Sequence, residues 1–116
     1  MKKYTLVELI DRFDGQILAN DFKSINEEMP LKEQLTLLDE DMLLIKLTKK
    51  NLAIDIGWYS RFRDGDSYEE YKSRGEFILH VAQNSNWQDP LLTLRSRTLT
   101  GLKKAIKRAY LFIDSY

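Results

Sequence analysis

Apolar positions along this chain change their period twice, and the two changes predict the fold. Across residues 42–96 apolar and polar positions alternate, as they do in β-strands with one buried face. Before residue 40 and after residue 98 the apolar positions recur every three or four residues, as on one side of an α-helix. The sequence therefore predicts a mainly helical segment over 1–40, an antiparallel sheet over 42–96 and a C-terminal helix over 98–115.

The N-terminal segment predicts two helices and leaves one stretch undecided. Thr5 and Glu8 have the spacing of a capping box, and apolar residues at helical spacing follow over 6–13. A similar period over 16–26 predicts a second helix or a bent continuation of the first. Residues 31–38 fit either a short helix or a strand, because periodicity cannot decide so short an apolar run.

Four alternating runs in the middle of the chain predict about four strands. The first two, at 42–48 and 52–59, are joined by a short polar link without glycine and so predict an antiparallel hairpin. A long charged loop over 61–75 precedes the third strand at 77–81, and a polar loop precedes the fourth at 92–95. We therefore predict an α+β fold in which N-terminal helices and a C-terminal helix cover the apolar face of the sheet.

Composition narrows the class of protein. The chain has 116 residues, of which 43% are apolar and 31% charged. This length and this composition suit a single globular domain over 1–116. No apolar run approaches the roughly 18 residues that span a bilayer, and the N-terminus is a poor match to a signal peptide. The chain has no cysteine, which excludes disulfides and thiolate metal sites. We expect a cytoplasmic protein with no membrane contact.

The net charge is zero, but the charges are unevenly distributed. Residues 1–70 hold 10 basic against 15 acidic residues, and residues 71–116 hold 8 against 3. Each half could face a partner of opposite charge, or the two could be solvated faces that fold against each other. A basic set near the C-terminus makes phosphate contacts an alternative, although no nucleic-acid-binding motif accompanies it. This set comprises Arg95, Arg97, Lys103, Lys104, Lys107 and Arg108.

His80 and Asp55 are the candidates for a small hydrolase, and neither lies in a catalytic motif. Both alternate out of phase with the apolar strand positions, which predicts that they lie on the opposite face of the sheet. A lone histidine without cysteine makes a poor zinc site. An aspartate on a strand is more often paired across the sheet with a basic residue. We therefore predict no catalytic residue, no metal site and no cofactor.

Carboxylates and aromatic rings in the charged loop suit protein binding. The run that begins at Asp64 does not fit a calcium-binding loop, because glycine occupies its second position and Gly75 its twelfth. The composition is instead that of an anionic, aromatic surface for a basic protein partner, with a solvated loop as the alternative. Together with the tryptophan of the next loop, the predicted binding residues are Asp64, Asp66, Tyr68, Glu69, Glu70, Tyr71 and Trp87.

Four features over residues 52 to about 113 support a resemblance. They are DIGWY at 55–59, the strand at 77–81, NWQDPL at 86–91 and an ending in which a strand is followed by a helix. In these features the chain resembles small bacterial immunity proteins of contact-dependent growth inhibition and related polymorphic toxin systems. The resemblance implies a non-enzymatic, cytoplasmic protein that forms a heterodimer with the toxic C-terminal domain of its cognate effector. This toxic domain is often a nuclease, and the immunity protein blocks the active site of the toxic domain. It does not fix the interface, which varies with the toxin. A regulatory or nucleic-acid-associated protein is the alternative.

Overall fold

Five antiparallel strands lie side by side in sequence order in a computed structural model that describes residues 3–116. The strands are β1 (Gly15–Asn20), β2 (Leu43–Leu47), β3 (Leu52–Tyr59), β4 (Glu76–Gln83) and β5 (Leu92–Ser96). The α-helices are α1 (Leu6–Ile10), α2 (Tyr68–Ser73) and α3 (Leu99–Ser115), and 3-10 turns cover Asp21–Ser24, Leu31–Glu33 and Leu35–Leu37. The α+β prediction is confirmed, with five strands where about four were expected.

The core lies between one face of the sheet and the helices. Alternate residues of β2, β3 and β4, among them Ile45, Ile54 and Leu79, point to this face and are fully buried. The long helix α3 packs against β5, β4 and α1 and covers them with a stripe that includes Leu102 and Ile106. Each such side chain contributes about 1.5–3 kcal/mol through burial, so this layer is the main source of stability.

The helix predicted over 16–26 is wrong. That stretch forms β1 and then the 3-10 turn Asp21–Ser24. Apolar residues at 17, 18, 22 and 25 fit a helical period, yet only Phe22 and Ile25 are buried. A strand is favoured over a helix here because the stretch pairs with β2. Ile17 lies opposite Ile45, and a β-bulge precedes Ala19. Pairing with a neighbouring strand is a long-range interaction that a local period does not report.

Two further segments differ from the prediction. The loop predicted over 61–75 contains α2, which begins at a capping box: Ser67 Oγ accepts from Glu70 N at 3.1 Å, and Glu70 Oε1 accepts from Ser67 N at 3.3 Å. The undecided stretch 31–38 forms two short 3-10 turns. The capping box predicted at Thr5 is confirmed, although α1 has only five residues.

The turn between β2 and β3 connects the sheet to the end of α3. Lys50 and Asn51 both have positive φ, 52° and 55°, and Leu52 N donates to Lys49 O at 3.1 Å across them, as in a type I′ turn. Lys49 Nζ donates to the carbonyl oxygens of Ile113 and Asp114 at 3.1 and 3.0 Å. The turn thus supplies positive charge at a helix C-terminus whose last turn has no basic residue.

Candidate functional site

The face of the sheet opposite α3, which we call the open face, carries a mixture of charged, aromatic and apolar side chains. Its central positions on β2, β3 and β4 include Leu44, Asp55 and His80, all of which are half-buried. Glu40 and Asp41 of one loop, and Asn84, Ser85 and Trp87 of another, lie beside this face. The pairing of β2, β3 and β4 determines which side chains are neighbours on this face.

An acidic bulge precedes β2 and lies against the open face. Asp39 O accepts from Trp58 N at 2.7 Å, and Ile56 O accepts from Met42 N at 3.1 Å. Between these two bonds Glu40 and Asp41 loop out opposite Gly57. A Cβ atom at Gly57 would overlap the main chain of Glu40, so this position requires glycine. The bulge therefore depends on the one residue type that lets two backbones approach so closely.

The bulge concentrates negative charge around Asp55 and Tyr59. Burial is the main cause that raises the pKa of Asp55, and Asp41 adds to it, whereas His80 acts in the opposite direction. Burial also raises the pKa of Tyr59, with further contributions from Asp55, Glu40 and Asp41. Asp41 and Asp55 are close enough to repel each other, and Asp55 is partly desolvated by burial. An incoming cation would relieve that repulsion.

The predicted pairing of Asp55 across the sheet is confirmed. Asp55 on β3 lies directly opposite His80 on β4, and its Oδ2 is 3.7 Å from His80 Nδ1. Both side chains are about one-quarter exposed or less. The pair supplies no nucleophile, and within residues 3–116 no group of three or more His, Asp and Glu residues is placed to hold a metal ion.

Trp87 lies over the open face between two hollows. The first has a volume of about 330 Å³ and is lined by Ala19, Asp41, Leu43, Leu44 and Asp55 together with Trp87. The second, of about 500 Å³, extends from Trp87 towards Leu18, Lys46 and Ala53. Trp87 is 37% exposed. Its loop is anchored by Asn84 N, which donates to Asn51 O at 3.0 Å, so the indole is already positioned for contact.

Two of the carboxylates predicted to bind a partner have structural roles. The Asp66 side chain is 7% exposed, forms an ion pair with Arg74 and accepts from Arg63 N at 2.7 Å. The hydrogen bond from Arg74 is the main reason that the pKa of Asp66 is lowered. Asp66 therefore stabilises the segment that holds α2 and has little capacity left for a partner, whereas Glu70 caps α2 through Oε1 and is itself exposed.

The other predicted residues fall on two separate surfaces. Tyr68, which is 57% exposed, and Glu69 line a hollow of about 240 Å³ with residues of the 31–36 segment, including Lys32. Tyr71 packs against Phe62 with ring centroids 5.9 Å apart, and Asp64 is exposed in the turn before α2. Trp87 instead lies over the open face, beside Asp55. The structure thus does not bring Trp87 together with the α2 residues.

Sequence reasoning missed Glu40, Asp41 and Tyr59. One signal was present: a glycine inside an alternating strand indicates a bulge or a close backbone approach, and Gly57 is such a residue. It could have indicated that another segment lies against β3 at this point, although not which segment.

The basic residues near the C-terminus are only partly available. Lys103 Nζ is 2.5 Å from Glu27 Oε1, and Arg95 Nη1 is 3.2 Å from Glu76 Oε1. Lys104, Lys107 and Arg108 are exposed on α3. The surface of α3 that faces away from the sheet therefore keeps a basic character.

Comparison of the chain with protein-family models, curated proteins and solved structures gave no match. None of the helices within residues 3–116 combines the length and the apolar character needed to cross a membrane.

Proposed function

We propose that this chain is a cytoplasmic immunity protein that binds the toxic C-terminal domain of a cognate effector, a nuclease, and blocks its active site without catalysing any reaction. The observation that carries the proposal is the surface formed by Glu40, Asp41, Asp55, Tyr59 and Trp87 on the open face. We call it the acidic aromatic surface. The resemblance over residues 52 to about 113 supports the same function.

The acidic aromatic surface has the physical properties of an inhibitory interface. A nuclease needs positive charge where it binds phosphate, and carboxylates presented by an inhibitor accelerate association with such a site. Burial has already raised the pKa of Asp55, so part of the desolvation cost is met within the folded protein. Trp87 adds a large ring with few rotatable bonds, which is the kind of side chain that dominates binding energy in interfaces.

We assign the interface to the open face rather than to α2, because Asp66 is paired with Arg74 and Glu70 caps α2. Asp64 and Glu69 are exposed carboxylates of the predicted set that take no part in that ion pair or in the capping box of α2. They provide a matched control, since reversing their charge changes the net charge by the same amount as reversing two carboxylates of the acidic aromatic surface.

The test begins with affinity capture from the native host and mass spectrometry of the protein that co-purifies in stoichiometric amount. The toxic domain so identified is then produced with and without this chain. We expect co-production to restore growth and the complex to lack nuclease activity. Failure of this chain to protect cells against any stoichiometric partner would refute the proposed function.

Charge reversal then locates the interface. Glu40→Lys with Asp41→Lys is expected to weaken toxin binding at least about tenfold, or ~1.4 kcal/mol, and Trp87→Ala to cost about 2 kcal/mol or more. Asp64→Lys with Glu69→Lys should change the affinity by less than about threefold, well below that threshold. The opposite ranking would assign the interface to α2 and leave the immunity function intact.

A nucleic-acid-associated protein is the second candidate, supported by the exposure of Lys104, Lys107 and Arg108 on α3. Binding through these residues would weaken steeply as salt is raised, because phosphate contacts release counterions. Replacing all three by glutamate should abolish such binding and leave toxin neutralisation unchanged. Retention of nucleic acid by the triple variant would exclude α3 as the binding surface, and failure of the parent protein to bind nucleic acid at low salt would exclude this candidate.

A further inference from the structure

Within residues 3–116, no other strand pairs with the main-chain groups on the outer edge of β1. Asp14 O accepts from Thr48 N at 3.0 Å, and the register places Gln16 opposite Lys46. In an antiparallel ladder the residues between such pairs direct their N–H and C=O groups away from the neighbour. Gly15 and Ile17 therefore direct theirs outward, and residues 15–19 are all exposed.

The two edges of the sheet differ in how they are protected. At the other edge, β5 carries Arg95 and leads into α3, which packs against it. The sequence of β1, GQILAN, contains no charged residue and no proline. Proteins commonly protect an edge strand with charge, proline or a covering element. The edge of β1 has only the bulge before Ala19.

The side chains of β1 indicate what could pair with it. Ile17 and Leu18, near its centre, are 39% and 53% exposed, whereas Asp14 and Asp21 flank its two ends. A second copy of this chain, paired antiparallel about the centre of β1, would place Asp14 opposite Asp21 of the other copy at both ends. Like charges directly opposite each other destabilise a strand pair. A strand with an apolar centre and a basic residue at each end has the complementary pattern.

We propose that the edge of β1 is a strand-addition site for an extended segment of another protein, with apolar residues at its centre and lysine or arginine at its ends. Main-chain hydrogen bonds along the edge would supply affinity, and the flanking aspartates would supply selectivity. The site shares no residue with the acidic aromatic surface, although Leu18 and Ala19 line the hollows beside Trp87, and it does not require the partner to be a toxin.

A synthetic peptide tests the site directly. The probe is the heptapeptide Lys-Thr-Val-Ile-Val-Thr-Lys, added to the ¹⁵N-labelled full chain, and the readout is the change in amide chemical shifts. We expect changes confined to residues 14–21 and to the facing residues of β2. A peptide with glutamate in place of both lysines should bind about fivefold more weakly, because two exposed ion pairs at ~0.2–1 kcal/mol each become two repulsions.

Three variants separate strand addition from other contacts. Ile17→Pro removes an N–H that points outward, which an edge strand tolerates, and should reduce the shift changes at least about fivefold. Ile17→Val keeps the N–H and should bind the peptide as the parent does. Asp14→Lys with Asp21→Lys should reverse the preference, so that the glutamate peptide binds better.

Each other outcome overturns the proposal. Absence of shift changes at millimolar peptide, changes centred on β5 or Trp87, or an unchanged preference in the Asp14→Lys, Asp21→Lys variant would show that β1 does not accept such a strand. Shifts of β1 amides that depend on protein concentration without peptide would identify a second copy as the occupant. These results are independent of the growth-protection assay, so failure of one proposal is distinguishable from failure of the other.

Discussion

Replacement of Gly57 by alanine should destabilise the protein and disturb the acidic bulge together. The new methyl group would overlap the main chain of Glu40, which a small rotation of a flexible side chain cannot relieve. The bulge must therefore move, and the bonds from Trp58 N to Asp39 O and from Met42 N to Ile56 O, 2.7 and 3.1 Å long, must lengthen or break. Two backbone hydrogen bonds at about 1 kcal/mol each, with overpacking of about 1–3 kcal/mol, give a loss of about 3–5 kcal/mol.

Urea denaturation measures that loss. With a slope of about 2 kcal/mol per molar urea, in the middle of the usual range, the midpoint should fall by roughly 1.5–2.5 M with little change in slope. The amide protons of Trp58 and Met42 should also exchange faster than in the parent protein. Gly65→Ala is the control, because Gly65 has a φ of 87° and open space around it, so alanine there meets only the backbone penalty of about 1–2 kcal/mol. If Gly57→Ala cost no more than Gly65→Ala and left both amides protected, the close approach of Glu40 would not be a constraint on this fold.

Three further predictions concern single side chains. Lys49→Ala should lower the free energy of unfolding by about 1 kcal/mol, since it removes the charged donor from the C-terminus of α3. In the same thermal melt, Lys49→Arg should retain most of this stabilisation. Ser85→Gly should raise the free energy of unfolding by about 0.5–1 kcal/mol, because Ser85 has a φ of 59°; a lower melting temperature would contradict this. Asp55→Asn should raise stability at neutral pH. Burial raises the pKa of Asp55 in the folded state, so ionisation of Asp55 lowers the free energy of unfolding as pH rises through that pKa. The urea midpoint of Asp55→Asn should therefore show no gain over that of the parent protein at about pH 3.

Strands β2 to β5 could be predicted because apolar and polar residues alternate along a strand that has one buried face. Ile54, Ile56 and Trp58 point to the core as their period requires, and Thr5 and Ser67 show that capping boxes carry similar local information. The spacing of Ser67 and Glu70 is itself a capping-box signal in the sequence. For these elements the local residue pattern is enough to predict the secondary structure, and no tertiary contact needs to be known.

The remaining elements depend on partners far away in the chain. Residues 15–20 form a strand because the edge of β2 is there to pair with, and their own apolar spacing fits a helix equally well. The acidic bulge arises because Gly57 leaves room for Glu40, a pairing of two segments that neither segment shows alone. The sequence therefore predicted binding residues mainly where acidic and aromatic residues are close in sequence, at 64–71, together with Trp87. The structure gathers a similar set from residues 40, 41, 55, 59 and 87.

Part of the separation of charge along the chain becomes a separation between faces of the molecule. Glu40, Asp41 and Asp55 lie on the open face, whereas Lys104 and Lys107 are exposed on α3, which covers the opposite face. The molecule is only 20 Å thick along its shortest axis, about two Debye lengths at 0.1 M salt. A basic partner approaching the open face is therefore largely screened from the lysines of α3, and its association rate should respond to Glu40 and Asp41 far more than to Lys104 and Lys107. Rates that followed net charge alone, whichever face was altered, would show that the arrangement of the carboxylates on the open face plays no part in recognition.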